Sequence, residues 1–140
     1  MLIHRGEAWL NARQSGAADA PPTSNVASGL SPKLHFHTKA ETRPEEILAT
    51  AHAASYCLSL WKRLQQAGHK PKRIHTVAYI HQDSSIKQRS EAEIFLDAEA
   101  DIPGLQEEIF VSHARAAKSD FVTLRGLSDV PVRLEPHLHA

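Results

Sequence analysis

Cysteine, serine and histidine fall at spacings in this chain that could do chemistry. Cys57 is the only cysteine and sits in "AHAASYCLSL" (51–60). A catalytic thiol there would need partial exposure and a positive neighbourhood that favours the thiolate. His52 and Ser55 stand at i, i+3, which makes imidazole and hydroxyl neighbours on a helix. Nucleophilic use of that pair would also need an orienting acid and an oxyanion hole. His35-x-His37 and His137-x-His139 each put two imidazoles on one face of a strand, a geometry that can hold part of a metal site.

Each pattern also has a plainer reading. Cys57 lies mid-helix among Tyr56, Leu58 and Leu60, where a free cysteine behaves as a small hydrophobe. Ser55 lacks the exposed strand-to-helix elbow of hydrolases, and a mid-helix serine bonds back to the i−4 carbonyl. Neither histidine pair has a third or fourth ligand at supportive spacing, and the second lies at the terminus. No phosphate loop, dinucleotide fingerprint or zinc spacing is present. No metal and no cofactor is expected.

The elements that position these residues begin with a helix from Pro44 to Ala67. Pro44 suits its first turn, Glu45 and Glu46 favour the positive end of the macrodipole, and Thr42 and Glu45 have capping-box spacing. Gly68 and Pro71 supply the stop. Ile47, Ala51, Ala54, Leu58 and Trp61 form an apolar stripe. Leu48, Ala53, Cys57, Leu60 and Leu64 widen it, so the helix is expected to be covered on several sides. "KRIHTVAYIHQ" (72–82) and "AEIFLDAEA" (92–100) alternate as half-buried strands, with Ile74, Thr76, Ala78 and Ile80 on one face, joined by a hairpin through "DSSIKQRS". A second helix is predicted to start near Pro103, and "DVPVRLEPHL" to form an edge or terminal strand. Before the long helix, "EAWLNAR" (7–13), "NVASGL" (25–30) and "KLHFHT" (33–38) read as short strands, and 14–25 as a loop. The order is that of an α+β fold.

The totals narrow the function classes. The sequence of 140 residues is the length of one ordinary domain, here taken as 1–140. Sixteen basic side chains balance sixteen acidic ones, so no broad electrostatic case exists for nucleic acid or anionic membranes. No apolar run reaches the roughly 20 residues of a membrane span. One cysteine excludes an intramolecular disulfide framework and fits a reducing compartment, which makes the cytoplasm the expected location.

Two stretches carry a family resemblance: "RPEEILATAHAASYCLSL" and "IPGLQEEIFVSHARAAKSDFVTL". They resemble the osmotically inducible protein C / organic hydroperoxide resistance (OsmC/Ohr) family, whose long helix opens Asn-Pro-Glu-Glu-Leu and continues Ala-His-Ala-Ala-Cys-Phe. The family's second helix follows a Val-Pro-Gly-Ile-like turn and reaches Cys-Pro-Val-Ser. "GEAWLNAR", "VASGL" and "LQQAGHKPKRIHTVAYI" resemble other parts in the same order. The resemblance implies an intertwined homodimer, with antiparallel sheets wrapped around the long central helices and sites at the subunit interface. It also implies a peroxidatic cysteine attacking a hydroperoxide, a resolving cysteine, and an arginine held by a glutamate.

Carried over residue by residue, the peroxidatic cysteine falls on Ser55. The resolving one falls on Phe121, or on Asp120 with a one-residue shift. The glutamate matches Glu45, and Lys39 or Arg43 takes the place of the arginine. Neither cysteine position holds a thiol. Ser55 and Cys57 are about 200° apart around a helix, so Cys57 points away from the position of Ser55. A serine hydroxyl neither ionises near neutral pH nor forms a sulfenic acid. The expectation is a homodimer without thiol peroxidase machinery, with a pocket for a small apolar ligand. The alternative is an active hydroperoxide reductase using Cys57 or other non-standard residues.

Overall fold

The computed structural model describes residues 2–12, 33–36, 44–83, 91–127 and 130–139. Within them lie strands β1 (Leu2–Asn11) and β2 (Lys33–Phe36), helix α1 (Pro44–Gln66), strands β3 (Arg73–Asp83) and β4 (Glu91–Asp101), helix α2 (Glu107–Leu124) and strand β5 (Val132–His139). The strands form one sheet in the order β2-β1-β3-β4-β5. Residues 25–30 and the connection at 84–90 lie outside the described residues.

Alternation sets the register. Ile74, Thr76, Ala78 and Ile80 of β3 face inward and pair with Ala100, Ala98, Leu96 and Ile94 of β4. Ile74 opposite Ala100 and Ala78 opposite Leu96 set large against small on the buried face. β1 pairs antiparallel with β2 and β3, and β3 with β4. β5 departs from the antiparallel arrangement expected, because it lies parallel to β4. α2 intervenes between these two strands, and a parallel pair needs such a crossover.

α1 packs against β1 and β3, with α2 beside it. Gly6 permits the close approach, since a Cβ there would overlap the backbone nitrogen of Thr50 and come within 2.6 Å of the Ala49 carbonyl carbon. The face of α1 that enters the core comprises Ala49, Ala53, Tyr56, Cys57, Leu60, Trp61 and Leu64. The stripe expected to lead the burial is therefore corrected. Trp61 is buried, whereas Ile47 and Leu58 are exposed together with Leu48. A helix apolar on several sides does not encode which side meets the sheet, and the small Ala49 and Ala53 suit the approach that Gly6 allows.

α2 also begins later than expected, at Glu107 rather than near Pro103. Gly104 has φ +79°, a left-handed turn conformation that cannot start a right-handed helix. α2 is tied to α1 by the Tyr56 hydroxyl, which donates to the Ala114 carbonyl at 2.9 Å. Phe121 packs edge-on against the Tyr56 ring with centroids 6.2 Å apart. No helix among the described residues is long and apolar enough to cross a membrane.

Candidate functional site

Ser55 lies on the half-buried shoulder of α1, beside the exposed Leu58. The back-bond expected of it is made by Thr50, whose hydroxyl donates to the Glu46 carbonyl at 2.9 Å. Ser55 opens instead onto a groove of about 620 Å³ between α1 and α2, with Leu58, Ser59 and Lys62 on one wall and Asp120, Thr123 and Leu124 on the other. Arg63 closes this groove with a bidentate pair to Asp120, Nε to Oδ2 at 2.6 Å and Nη2 to Oδ1 at 2.8 Å. The Arg63 hydrogen bonds and charge hold the Asp120 carboxyl below the usual carboxylate range.

The two alternatives for the second family position thus separate. Asp120 shares the groove with Ser55. Phe121, the next residue, turns inward and is fully buried. Its ring meets His52 edge-on at 5.5 Å. Sequence reasoning paired His52 with Ser55, yet His52 is 4% exposed and belongs to the interior. Burial, and then the charge of Arg125, lower its pKa to about 4. Its Nδ1 is buried without a hydrogen-bond partner. His52 is neutral at pH 7 and unplaced to act on the Ser55 hydroxyl from the groove. Glu45 is half-buried in the first turn of α1. Lys39 and Arg43 lie outside the described residues.

Cys57 has the surroundings of a packing residue. It is fully buried, with its Sγ 3.1 Å from Thr76 Oγ1 and 3.6 Å from the Ala8 carbonyl oxygen, either of which can take its one S–H. Burial pushes the thiol up to about 12, against the smaller lowering effect of the bonds to Thr76. That is the reverse of what a reactive thiolate requires.

The histidines are better organised than their spacing suggested. His137 and His139 are not frayed but paired in β5, on the sheet face away from the helices. His137 meets Asp97 at 3.2 Å and His139 meets Glu99 at 3.3 Å. The sequence analysis missed these carboxylate partners because they come from β4 through the parallel register, at long sequence separation. Among the described residues no three His, Cys, Asp or Glu side chains converge as metal ligands. His37 of the other pair lies outside the described residues.

No family model matches the sequence. The peroxiredoxin OsmC of Escherichia coli K12 and that of Shigella flexneri are each 32% identical to it over 125 residues, covering 85% of this chain and 86% of theirs. Among solved structures, the OsmC-like protein of Mycoplasma pneumoniae superposes with a TM-score of 0.61 at 14% identity, over 74% of this chain and 79% of that one. An organic hydroperoxide resistance protein OsmC of Legionella pneumophila gives 0.57 at 14% identity, over 71% and 72%. At such identity the solved structures speak for the fold alone.

Proposed function

The chain belongs to the OsmC/Ohr family of peroxiredoxin-type proteins, and from that premise we propose that it is a stress-type member without thiol-dependent hydroperoxide reductase activity. On this reading residues 1–140 form one domain that keeps the α1–α2 groove as a small-molecule site. The observation that carries the reading is the seclusion of Cys57. Peroxide reduction needs a thiolate that can reach the O–O bond and an outlet for the resulting sulfenic acid. The one sulfur of this kind in the chain is sealed against Thr76 and Ala8 with its pKa raised to about 12. Where the family pattern puts the attacking thiol, Ser55 offers a hydroxyl that does not ionise near neutral pH.

The groove supports a binding role. Leu58 and Leu124 offer apolar contact, and the Ser55 and Ser59 hydroxyls offer hydrogen bonds at its edge. Seven of the nine lining residues are polar or charged, so a small amphipathic molecule suits the groove better than a purely apolar one. The exposed Ile47, Leu48 and Leu58 lie along α1 on the side the sheet leaves uncovered. A row of that kind supports homodimerisation through α1, and the groove would then border the subunit interface.

The test is consumption of cumene hydroperoxide with dithiothreitol as reductant, alongside sedimentation at micromolar concentration. Turnover indistinguishable from the enzyme-free blank, from a dimer, is the expected result. Robust turnover that Cys57→Ala abolishes would overturn the reading, and a monomer would remove the interface site.

A further inference from the structure

We propose that the open face of the sheet carries an acid-tightened latch on the C-terminal strand, made of carboxylates and imidazoles that alternate from β1 to β5. Glu7, His75, Glu99 and His139 come from four different strands and touch in series. His75 Nε2 lies 3.2 Å from Glu7 Oε2, and His75 Nδ1 lies 3.7 Å from Glu99 Oε1. Glu99 Oε2 lies 3.3 Å from His139 Nε2. One step along the same face, His137 Nε2 lies 3.2 Å from Asp97 Oδ1.

The chain of contacts is completed by protons. A neutral imidazole has one N–H, so it can donate from one nitrogen only, whereas imidazolium donates from both. His75 has a carboxylate at each nitrogen, so only its charged form serves both. Trp9 lies flat against that ring, with centroids 4.8 Å apart and planes 7° from parallel. An indole face attracts a cation.

β5 is the element such a latch would control. Among the described residues it is hydrogen-bonded in the sheet to β4 alone. On its inner side only Val132 is buried, and Leu134, Pro136 and Leu138 are half-covered. Among the described residues three outer-face pairs join it to β4. Arg133–Glu93 at 2.8 Å contains no imidazole, and the other two depend on histidine.

Charged groups surround these imidazoles on the open face. Glu99 and Asp101 from β4 share a hollow of about 280 Å³ with His139, opposed by Arg73 and His75 from β3. Asp97 of β4 and Glu135 of β5 flank His137 on the same face. Arg5 is already engaged by Glu7 at 3.0 Å. α2 packs on the other side of the sheet, on the face that carries Val132. The Glu99 carboxyl is held below the usual range, first by its hydrogen bond to His139 and also by the charges of His139 and His75. It therefore stays ionised as the pH falls through the range where histidine gains charge. The latch is tight near pH 5.5, loosens above neutrality, and loosens again once the carboxylates are protonated.

Hydrogen exchange reads this directly. Protection factors of the 132–139 amides, corrected for intrinsic exchange and taken relative to those of the α1 core amides so that changes in global stability cancel, are measured at pH 5.5 and 7.5. Two exposed pairs gaining charge predict about a fivefold to tenfold rise in β5 protection at the lower pH. The double variant Asp97→Asn/Glu99→Gln, and separately His137→Gln/His139→Gln, should give protection that is flat with pH. Unchanged or falling β5 protection in the wild-type protein at pH 5.5 would overturn the proposal. So would a rise that persists undiminished in either variant.

Discussion

The reactivity of Cys57 is the point at which the structural account is most exposed to measurement. With the thiol pushed up to about 12, its thiolate fraction at pH 7.5 is about three thousandfold below that of an ordinary cysteine of pKa ~8.5. The residue is also fully buried, so a reagent reaches it only when the core opens. Global opening of a domain costs about 5–15 kcal/mol, an open fraction of about 10⁻⁴ or less. Both routes lead to the same expectation. An aromatic disulfide reagent should label the native protein at least ~1,000-fold more slowly than free cysteine. The rate should rise exponentially with urea, with the slope of global unfolding.

The same burial is expected to keep peroxide from the thiol. Exposure of native protein to cumene hydroperoxide with a sulfenic-acid trap should leave Cys57 unmodified, whereas the protein in denaturant should react. Native labelling within about tenfold of free cysteine, or labelling indifferent to urea, would refute the reasoning. Either result would mean that the Thr76 and Ala8 contacts do not seal the thiol, and the case against peroxidase activity would fall with them.

Two further outcomes follow from the interior. Gly6→Ala forces a methyl group into the backbone of α1 at Thr50, and the helix can relieve it only by lifting from β1. A loss of ~3 kcal/mol in urea unfolding is expected, and a change under about 0.5 kcal/mol would show that the close approach is not obligatory. His52 titrates near 4 when folded and near 6.5 when unfolded, so the unfolded chain binds the extra proton between those values. Its contribution is therefore full above pH ~6.5 and lost as pH falls towards 4, by ~3 kcal/mol in all. His52→Leu should remove that part of the pH slope of stability, and an unchanged slope in the variant would contradict the burial of a neutral imidazole.

How far these features could be read in the sequence depends on whether their cause is local. Inward Ile74, Thr76, Ala78 and Ile80 announce a half-buried strand because alternation is a local property, and β3 has that face. The Pro44–Glu45–Glu46 opening of α1 is legible for the same reason. The orientation of α1 is not local. Ile47 with Leu58, and Cys57 with Leu60, are equally apolar choices for a buried face. What selects the second set is contact with a strand some forty residues earlier, where Gly6 removes a side chain. The carboxylate partners of His137 and His139 were hidden likewise, since they depend on a parallel register that only the α2 crossover creates.

The candidate site comes from the sequence in a third way, as an expectation carried by resemblance, and there the helix geometry adds what matching residues could not. The chain has a sulfur within two positions of the place where the family's chemistry would be done. About 200° of rotation separates the two on α1. Ser55 consequently opens on the groove beside Asp120, while Cys57 faces Ala8 and Thr76. Turning α1 to present Cys57 would expose Leu60 and Leu64 and drive Ser55 into the core. Burial of each such leucine is worth ~2 kcal/mol, so the rotation would cost much of an ordinary domain's stability. A thiol in the groove would therefore have to come from a substitution at Ser55, and the proposed lack of peroxidase chemistry rests on helix position rather than on sulfur content.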